Sequence, residues 1–383
     1  MSTSKKFDLR ELGLVSVRMG LPTRRDFGKG VLAAGAAAAT GLPAMTASAA
    51  TEVNYMGWQG YDDGLMENGW FEANDILLQS TYISSVEDIT ASAMSGGMGV
   101  LDLAVPGDIH QDIFTTAGIV EWLDIDRLPN FQNVFPAIQS RFVQKDGQIS
   151  MVPFEWGSLP LMYNADVITE PPTSWMDQFK PEYTGKVGMI QELAGNMIWA
   201  LRCANDVVST AYATEEQLAN AADLLIKLKK EQVLTMSPGY GEFAGLFATG
   251  EIVIASGWEP IAVWAGPDAP TIKHTMPKEG CLTFVDALCV IKDSPNLDAC
   301  YEILDYSLSA EAQSATANFN GTAAVTSTAV PLLGEENTSL YPYDDIDGWM
   351  NKAGPFEAWP PEAGDGYVGF DRWAYHWERV LGA

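Results

Sequence analysis

Short apolar runs of strand length alternate with stretches of helical spacing along most of this 383-residue chain. Glu52 to Met56 reads as a first strand, followed by a turn over Trp58 to Gly64. Leu101 to Val105 is a brief apolar strand that stops at Pro106-Gly107, and a helix is predicted to follow with Asp108 as its N-cap. Gln148 to Phe154 and Leu159 to Tyr163 are predicted strands on either side of Glu155-Trp156-Gly157. Lys186 to Ile190 is another strand, and Asn196 to Ala204 another helix. The clearest helix starts at Thr214. Thr214 and Gln217 have the spacing of a capping box, and Leu218, Ala222, Leu225 and Leu228 then recur on one face. Ile252 to Ala255 and Val285 to Ile291 complete the apolar strands, and Asn296 to Ser307 is a helix after Ser294-Pro295.

Alternation of this kind builds α/β layers, in which ligands bind beyond the carboxyl ends of the strands. Four places deserve inspection on that ground: Trp58 to Asp63, Gly107-Asp108, Gln191-Glu192 and Trp258-Glu259. The length suits about two domains.

The first 49 residues have a different character. Arg24-Arg25 opens a mild alanine-rich run from Gly30 to Ala39, and Ala47-Ser48-Ala49 offers a small-residue cleavage site. This order is that of an export signal of the twin-arginine kind, so residues 1–49 are expected to be removed and the mature chain to work in a periplasm. No cysteine follows the cleavage site, and no lipid anchor is expected.

The whole chain carries a net charge of −28, and the export segment holds seven Lys or Arg against three acids, so the remainder is more acidic still. Such a balance argues against nucleic acid or an anionic membrane as partner; it suits a cationic ligand and equally suits plain solubility. Cys203, Cys281, Cys289 and Cys300 allow three disulfide pairings or stand as buried thiols, and their spacing lacks the CxxC pairs of a zinc site. The three histidines lie far apart, and no GxSxG elbow, phosphate loop or dinucleotide fingerprint is present, so neither an enzyme nor a bound metal or cofactor is expected.

One chemistry does stand out. Several of the twelve Trp lie beside acids at predicted strand ends. Carboxylates neutralise ammonium groups that would be too costly to bury alone, and flat rings cover methylenes while attracting cations.

From about Glu52 to Val330 the chain resembles the spermidine/putrescine-binding proteins of ABC importers, a group of extracellular solute-binding proteins. The resemblance rests on collinear blocks. They include Tyr55-Met56-Gly57-Trp58-Gln59-Gly60-Tyr61, Asp102-Leu103-Ala104-Val105-Pro106, Val152-Pro153-Phe154-Glu155-Trp156-Gly157 with Tyr163-Asn164, Ser174-Trp175, Gly250-Glu251 leading to Trp258, and Met276-Pro277-Lys278-Glu279-Gly280 running into Phe284-Val285-Asp286.

It implies a two-lobed α/β periplasmic binding fold with crossings near Trp156-Gly157 and Asp286-Ala287. Residues 50–157 and 286–325 would form the first lobe, and 158–285 and 326–383 the second. It also implies a small cationic ligand held between the lobes, an inner-membrane permease as partner, and a monomer. By this resemblance Asp286 grips an ammonium, Trp58, Tyr61 and Trp258 line the cleft, Phe284 replaces another aromatic, and Glu192 matches an acid of the second lobe. Asp108 stands either as a ligand contact or as a helix cap; Glu259 and Glu155 are reserves. Gly60 and Gly195 take the places of family acids, with Asp62 and Asp63 available as substitutes for the first. Shorter amines, quaternary amines, amino-acid derivatives and neutral sugars are the competing ligands.

Overall fold

The computed structural model describes residues 50–83, 85–237, 239–266, 269–354, 359–360 and 362–383. The export segment expected over residues 1–49 lies outside the described residues.

The strands come early and short. They are β1 (Thr51–Gly57), β2 (Ile76–Tyr82), β3 (Leu103–Ala104), β4 (Leu123–Asp124), β5 (Gln144–Lys145) and β6 (Gln148–Ile149), then β7 (Val152–Leu159) and β8 (Leu161–Asn164). The second half adds β9 (Val187–Ile190), β10 (Val233–Ser237), β11 (Ile254–Ser256), β12 (Ile272–Thr275), β13 (Leu282–Val290) and β14 (Ala323–Ala324). One six-stranded sheet has the order β14-β7-β13-β3-β1-β2, and a five-stranded sheet has the order β10-β9-β11-β8-β12. Strands β4, β6 and β5 form a small third sheet. Parallel pairs β1–β2, β1–β3, β9–β10 and β9–β11 need helical crossovers, whereas β13 pairs antiparallel with both β3 and β7.

Each large sheet anchors its own core. The first gathers Val53, Tyr55, Leu103, Phe114, Phe154, Trp156, Leu288 and Ile303. The second gathers Leu161, Trp175, Met189, Trp199, Leu218, Leu225 and Ile254. Two α/β lobes result, joined by β7 and β13. These two strands are paired from Leu159↔Leu282 to Val152↔Leu288, with a bulge between Asp286 and Ala287. Every residue of β7 is buried. Along its length Val152 to Trp156 belong to the first core, while Leu159 packs with Ile198 of the second lobe. Pro160 cannot donate to a ladder, so the long apolar run breaks there into β7 and β8.

Several expected elements sit differently. Glu155-Trp156-Gly157 lies inside β7 and not between two strands. The turn after β1 contains the short helix Tyr61–Met66. Asp108 is the first residue of a 3₁₀ turn, Asp108–His110, whose N-cap is Gly107, so its carboxylate is not a cap. The helix Glu215–Glu231 has the expected capping box, with Gln217 N–H donating to Thr214 Oγ1 and Thr214 N–H to Gln217 Oε1. The chain also returns to the second lobe later than residue 326. Thr326 bridges Val134, and Tyr341 and Ile346 still pack in the first core, whereas Ala353 packs in the second. The helix Ile346–Ala353 therefore makes the passage. The reason is side-chain satisfaction: Tyr341 Oη donates to Gly321 O, and Tyr343 Oη accepts from the Ala324 amide, which ties this segment to β14.

The C-terminal helix Phe370–Gly382 then closes on the second lobe. Trp373, Trp377 and Val380 enter its core, and Trp373 stacks on Trp359 at 5.0 Å. Outside that apolar stripe, Arg372 and His376 both reach Glu215, and Arg379 reaches Asp223. The half-exposed arginine ion pairs add little by comparison with the buried rings, among which His376 also lies. The four cysteines are free thiols, three of them buried. No helix among the described residues is long and apolar enough to cross a membrane.

Trp373→Ala is expected to cost about 3–5 kcal/mol, the range for removing a buried tryptophan. Scanning calorimetry should register this as a fall in Tm of roughly 6–15 °C; an unchanged Tm would show that the C-terminal helix is dispensable to the second lobe.

Candidate functional site

The site is built on the two connecting strands, at the step where Glu155 of β7 faces Asp286 of β13. Gly107, following β3, bridges Asp286 from the other side. A Cβ on Gly107 would come within 3.4 Å of Asp286 Oδ1 and 3.5 Å of His110 Nδ1, so the bare backbone makes room for the carboxylate. Asp286 remains partly exposed, while Glu155 lies fully buried.

Tyr61 reaches this pair from the short helix after β1. Its hydroxyl donates to Asp286 Oδ2 at 2.7 Å, and its ring packs 5.8 Å from that of Phe154. The helix starts there because Gly60 adopts φ +97°, a left-handed conformation glycine takes without strain. Asn320 Oδ1 would lie 3.2 Å from a Cβ at Gly60. A side chain is thus disfavoured where the family resemblance calls for an acid. Asn320 and Thr322 instead hold Glu155: Asn320 Nδ2 donates to Oε1 at 2.6 Å and Thr322 Oγ1 to Oε2 at 2.7 Å.

Two further groups stand close by. Tyr55 of β1 carries a buried hydroxyl that finds no hydrogen-bond partner, and its ring fills the space a Cβ on Gly57 would need. Asp62 is buried, accepts from Tyr82 Oη at 3.1 Å through Oδ2, and leaves Oδ1 without a partner. Burial and the neighbouring acids push the Tyr55 and Tyr61 phenols well above their ordinary range, so both stay neutral donors.

On the far side of Asp286, Phe284 lies over Gly157. A Cβ on Gly157 would meet the Phe284 ring at 2.7 Å. Trp258 meets that ring edge-on, 4.5 Å between centroids at 80°. Beneath them Glu259 is fully buried, accepting from the Ser158 amide at 3.0 Å and from Ser158 Oγ. Glu192 follows β9 at the start of the helix Leu193–Asn205, with Oε2 unpartnered. Gly195 allows this: a Cβ there would press to 2.2 Å from Leu159 Cδ2 and 3.0 Å from Glu192 Oε2. The second acid missing from the family pattern has no room at Gly195.

The residues expected from the sequence thus fall into three groups. Tyr61 and Asp286 are joined directly, and Trp258, Phe284 and Glu259 cluster around Gly157 at the next step of the same strands. Asp62 and Glu192 are acids on the two lobes, linked to the strands through Tyr55 and through Gly195 and Leu159 respectively. Trp58 is half-buried at the margin of the first core. Asp108 differs from the rest, because its carboxylate is already taken by Arg141, whose guanidinium also donates to Thr283 Oγ1. Glu155, held only in reserve, lies opposite Asp286, and Tyr55, Asn320 and Thr322, which the sequence reading did not single out as site residues, stand around it. An acid within an unbroken buried strand was the available signal for Glu155; nothing in the sequence pointed to the others.

The electrostatics are lopsided. Among the described residues no Lys, Arg or His forms an ion pair with Asp62, Glu155, Glu192, Glu259 or Asp286. Burial raises the Glu155 carboxyl to about 8, against the help of Thr322 and Asn320. It raises Asp286 to about 7, against the Tyr61 hydrogen bond, with Asp108 adding a further push. Glu192 and Glu259 are likewise raised to about 7 by burial. Removing carboxylates from water without a counter-charge favours the protonated form.

Two packed α/β lobes, joined by paired strands that carry aromatic rings and uncompensated acids, define a solute receptor. The chain belongs to the bacterial extracellular solute-binding protein family, whose sequence pattern matches residues 72–339. The spermidine/putrescine-binding periplasmic protein of Salmonella typhimurium is 26% identical over 347 residues, covering 87% of this chain and 96% of its own. A putrescine-binding periplasmic protein of Escherichia coli is 24% identical over 341 residues, covering 82% of this chain and 89% of its own. The fold is also that of the lipoprotein Tp0655 of Treponema pallidum, with a TM-score of 0.70 at 19% identity over 86% of this chain and 99% of that one. As a member of this family the protein is a solute-binding protein and not an enzyme, and its partner is a small solute. Its compartment, as for these relatives, is the periplasm.

The raised carboxyls have a consequence for stability. The folded protein holds these protons more tightly than the unfolded chain does, so the unfolded state gives them up first as pH rises. Stability therefore falls from about pH 4, where unfolded carboxyls titrate, to about pH 8, where the folded Glu155 does. The ligand-free protein should melt several degrees lower at pH 8.5 than at pH 5.5; equal or rising Tm would show that these acids have charged partners in solution.

Proposed function

We propose that the protein captures a small organic cation, a diamine or polyamine of the putrescine and spermidine class, between its lobes. The observation that carries this reading is the Asp286 carboxylate, partly open to solvent, hydrogen-bonded by Tyr61 and unmatched by any base among the described residues. Arg141, which reaches Thr283 on the same strand, is engaged by Asp108. An ammonium at Asp286 supplies the missing counter-charge. Trp258 and Phe284 offer ring faces and edges for the methylenes and for cation–π attraction of roughly 0.5–2 kcal/mol. Glu192 from the second lobe then meets the other end of the ligand on closure, its free Oε2 serving as acceptor.

Closure is a hinge motion about β7 and β13. It excludes water from the acids and so strengthens each charge contact. The closed form is the species that the permease receives. Nothing is transformed, so the site needs geometry and charge but no nucleophile.

The names of the relatives support the same class of solute. The two glycines at 60 and 195 remove two acids from the family pattern, which favours a ligand with few ammonium groups.

In a thermal-shift series with putrescine, spermidine, choline, an amino acid and glucose, the diamine and polyamine should raise Tm with the logarithm of concentration. Asp286→Asn, which keeps the size but removes the charge, should weaken binding roughly 10- to 100-fold, matching about 1.5–3 kcal/mol for a charged hydrogen bond. Raising salt should weaken the wild type further. Glucose as the stabilising solute, with no effect of salt or of Asp286→Asn, would replace the cation reading with a neutral-ligand one.

A further inference from the structure

Glu155 stands only in reserve in the site as the sequence describes it, yet it is a buried acid directly beside the candidate grip. It faces Asp286 in register across two paired strands. Both acids stand against Tyr61, which donates to Asp286 Oδ2. Cross-strand neighbours on one face come within about 5.5 Å at Cβ, and like charges placed so repel. Two ionised carboxylates there, without a base, are untenable. Either a proton or a cation has to sit with them.

We infer that Glu155 and Asp286 share one proton in the ligand-free protein, and that docking of an ammonium at Asp286 expels it to solvent, so that capture exchanges one cation for one proton. The inference rests on the cation reading above and deepens it. Charge is balanced: the ammonium brings in one positive charge as one proton leaves to the buffer, and the pair goes from a single negative charge, with one group protonated, to two carboxylates neutralised in part by the ligand. The raised Glu155 and Asp286 carboxyls agree with this, since both titrate near neutrality.

The groups around the pair leave the proton no other home. Facing Glu155 are Tyr55 from β1, Tyr61 from the helix Tyr61–Met66, and Tyr341 and Tyr343 from the returning segment, all phenols raised above their ordinary range. Asn320 and Thr322 contribute donors without charge. Facing Asp286 are Tyr61, Asp108 in its pair with Arg141, and His110 beside Gly107, whose imidazole is held neutral by burial. Glu259 lies on the far side of Gly157 and has its own partner in Ser158.

Calorimetric titration of the mature protein with putrescine at pH 7, in phosphate and in Tris, measures the exchange, because the two buffers differ in heat of protonation. Roughly half to one proton released per putrescine is expected, with affinity rising by up to about tenfold per pH unit below pH 7 and levelling above pH 8. In Glu155→Gln the release at pH 8 should fall close to none while the wild type still releases roughly half a proton, because Asp286 alone, raised to about 7 by burial, is already ionised there, whereas Glu155 titrates at about 8. Identical binding heats in the two buffers for the wild type would overturn the inference while leaving the cation reading intact. If putrescine fails to bind at every pH, the cation reading falls, and the ligand-free proteins judge the pair. A decline of Tm from pH 6 to pH 8 that is shallower in Glu155→Gln upholds the shared proton, and the same decline in both proteins overturns it.

Discussion

Two carboxyl groups facing each other across a pair of hydrogen-bonded strands set the terms for the whole molecule. Backbone pairing of β7 with β13 fixes Glu155 opposite Asp286, and the same strands carry the chain between its lobes. The register that joins the lobes therefore also concentrates charge at their junction. Polar side chains moderate that charge without cancelling it: a phenol from the first lobe touches Asp286, and an amide and a hydroxyl from the segment before β14 hold Glu155. Such a junction is stable when something positive occupies it, and this couples the position of the lobes to the presence of a ligand.

Bare backbone makes the arrangement possible. Gly157 lets the Phe284 ring lie close against β7, Gly107 lets Asp286 approach the end of β3, and Gly195 leaves space for Leu159 and Glu192. Read with the family resemblance alone, Gly60 and Gly195 look like losses of binding acids. In the folded protein both positions are crowded, Gly60 by Asn320 and Gly195 by Leu159.

Much of the architecture was legible because it follows from period and punctuation. The apolar runs marked β1, β9 and β13 to within a few residues, and the capping box at Thr214 placed the longest helix. Asp286 could be singled out because a charge inside an apolar strand demands a partner. What could not be read depends on contacts distant in sequence. Arg141 comes from a loop far from Asp108, and nothing local to either announces their pair. Asn320 and Thr322 select Glu155 from more than 160 residues away. The late return to the second lobe turns on Tyr341 and Tyr343 bonding back toward Gly321 and Ala324, which no periodicity reveals.

A crystal structure of the mature protein grown with putrescine tests the central idea most directly. The account predicts closed lobes, one nitrogen of the diamine within about 3 Å of an Asp286 oxygen, and the carbon chain running past Phe284 and Trp258 toward Glu192. Electron density for the diamine elsewhere on the protein, with Asp286 and Glu155 bonded only to their present neighbours, would contradict it.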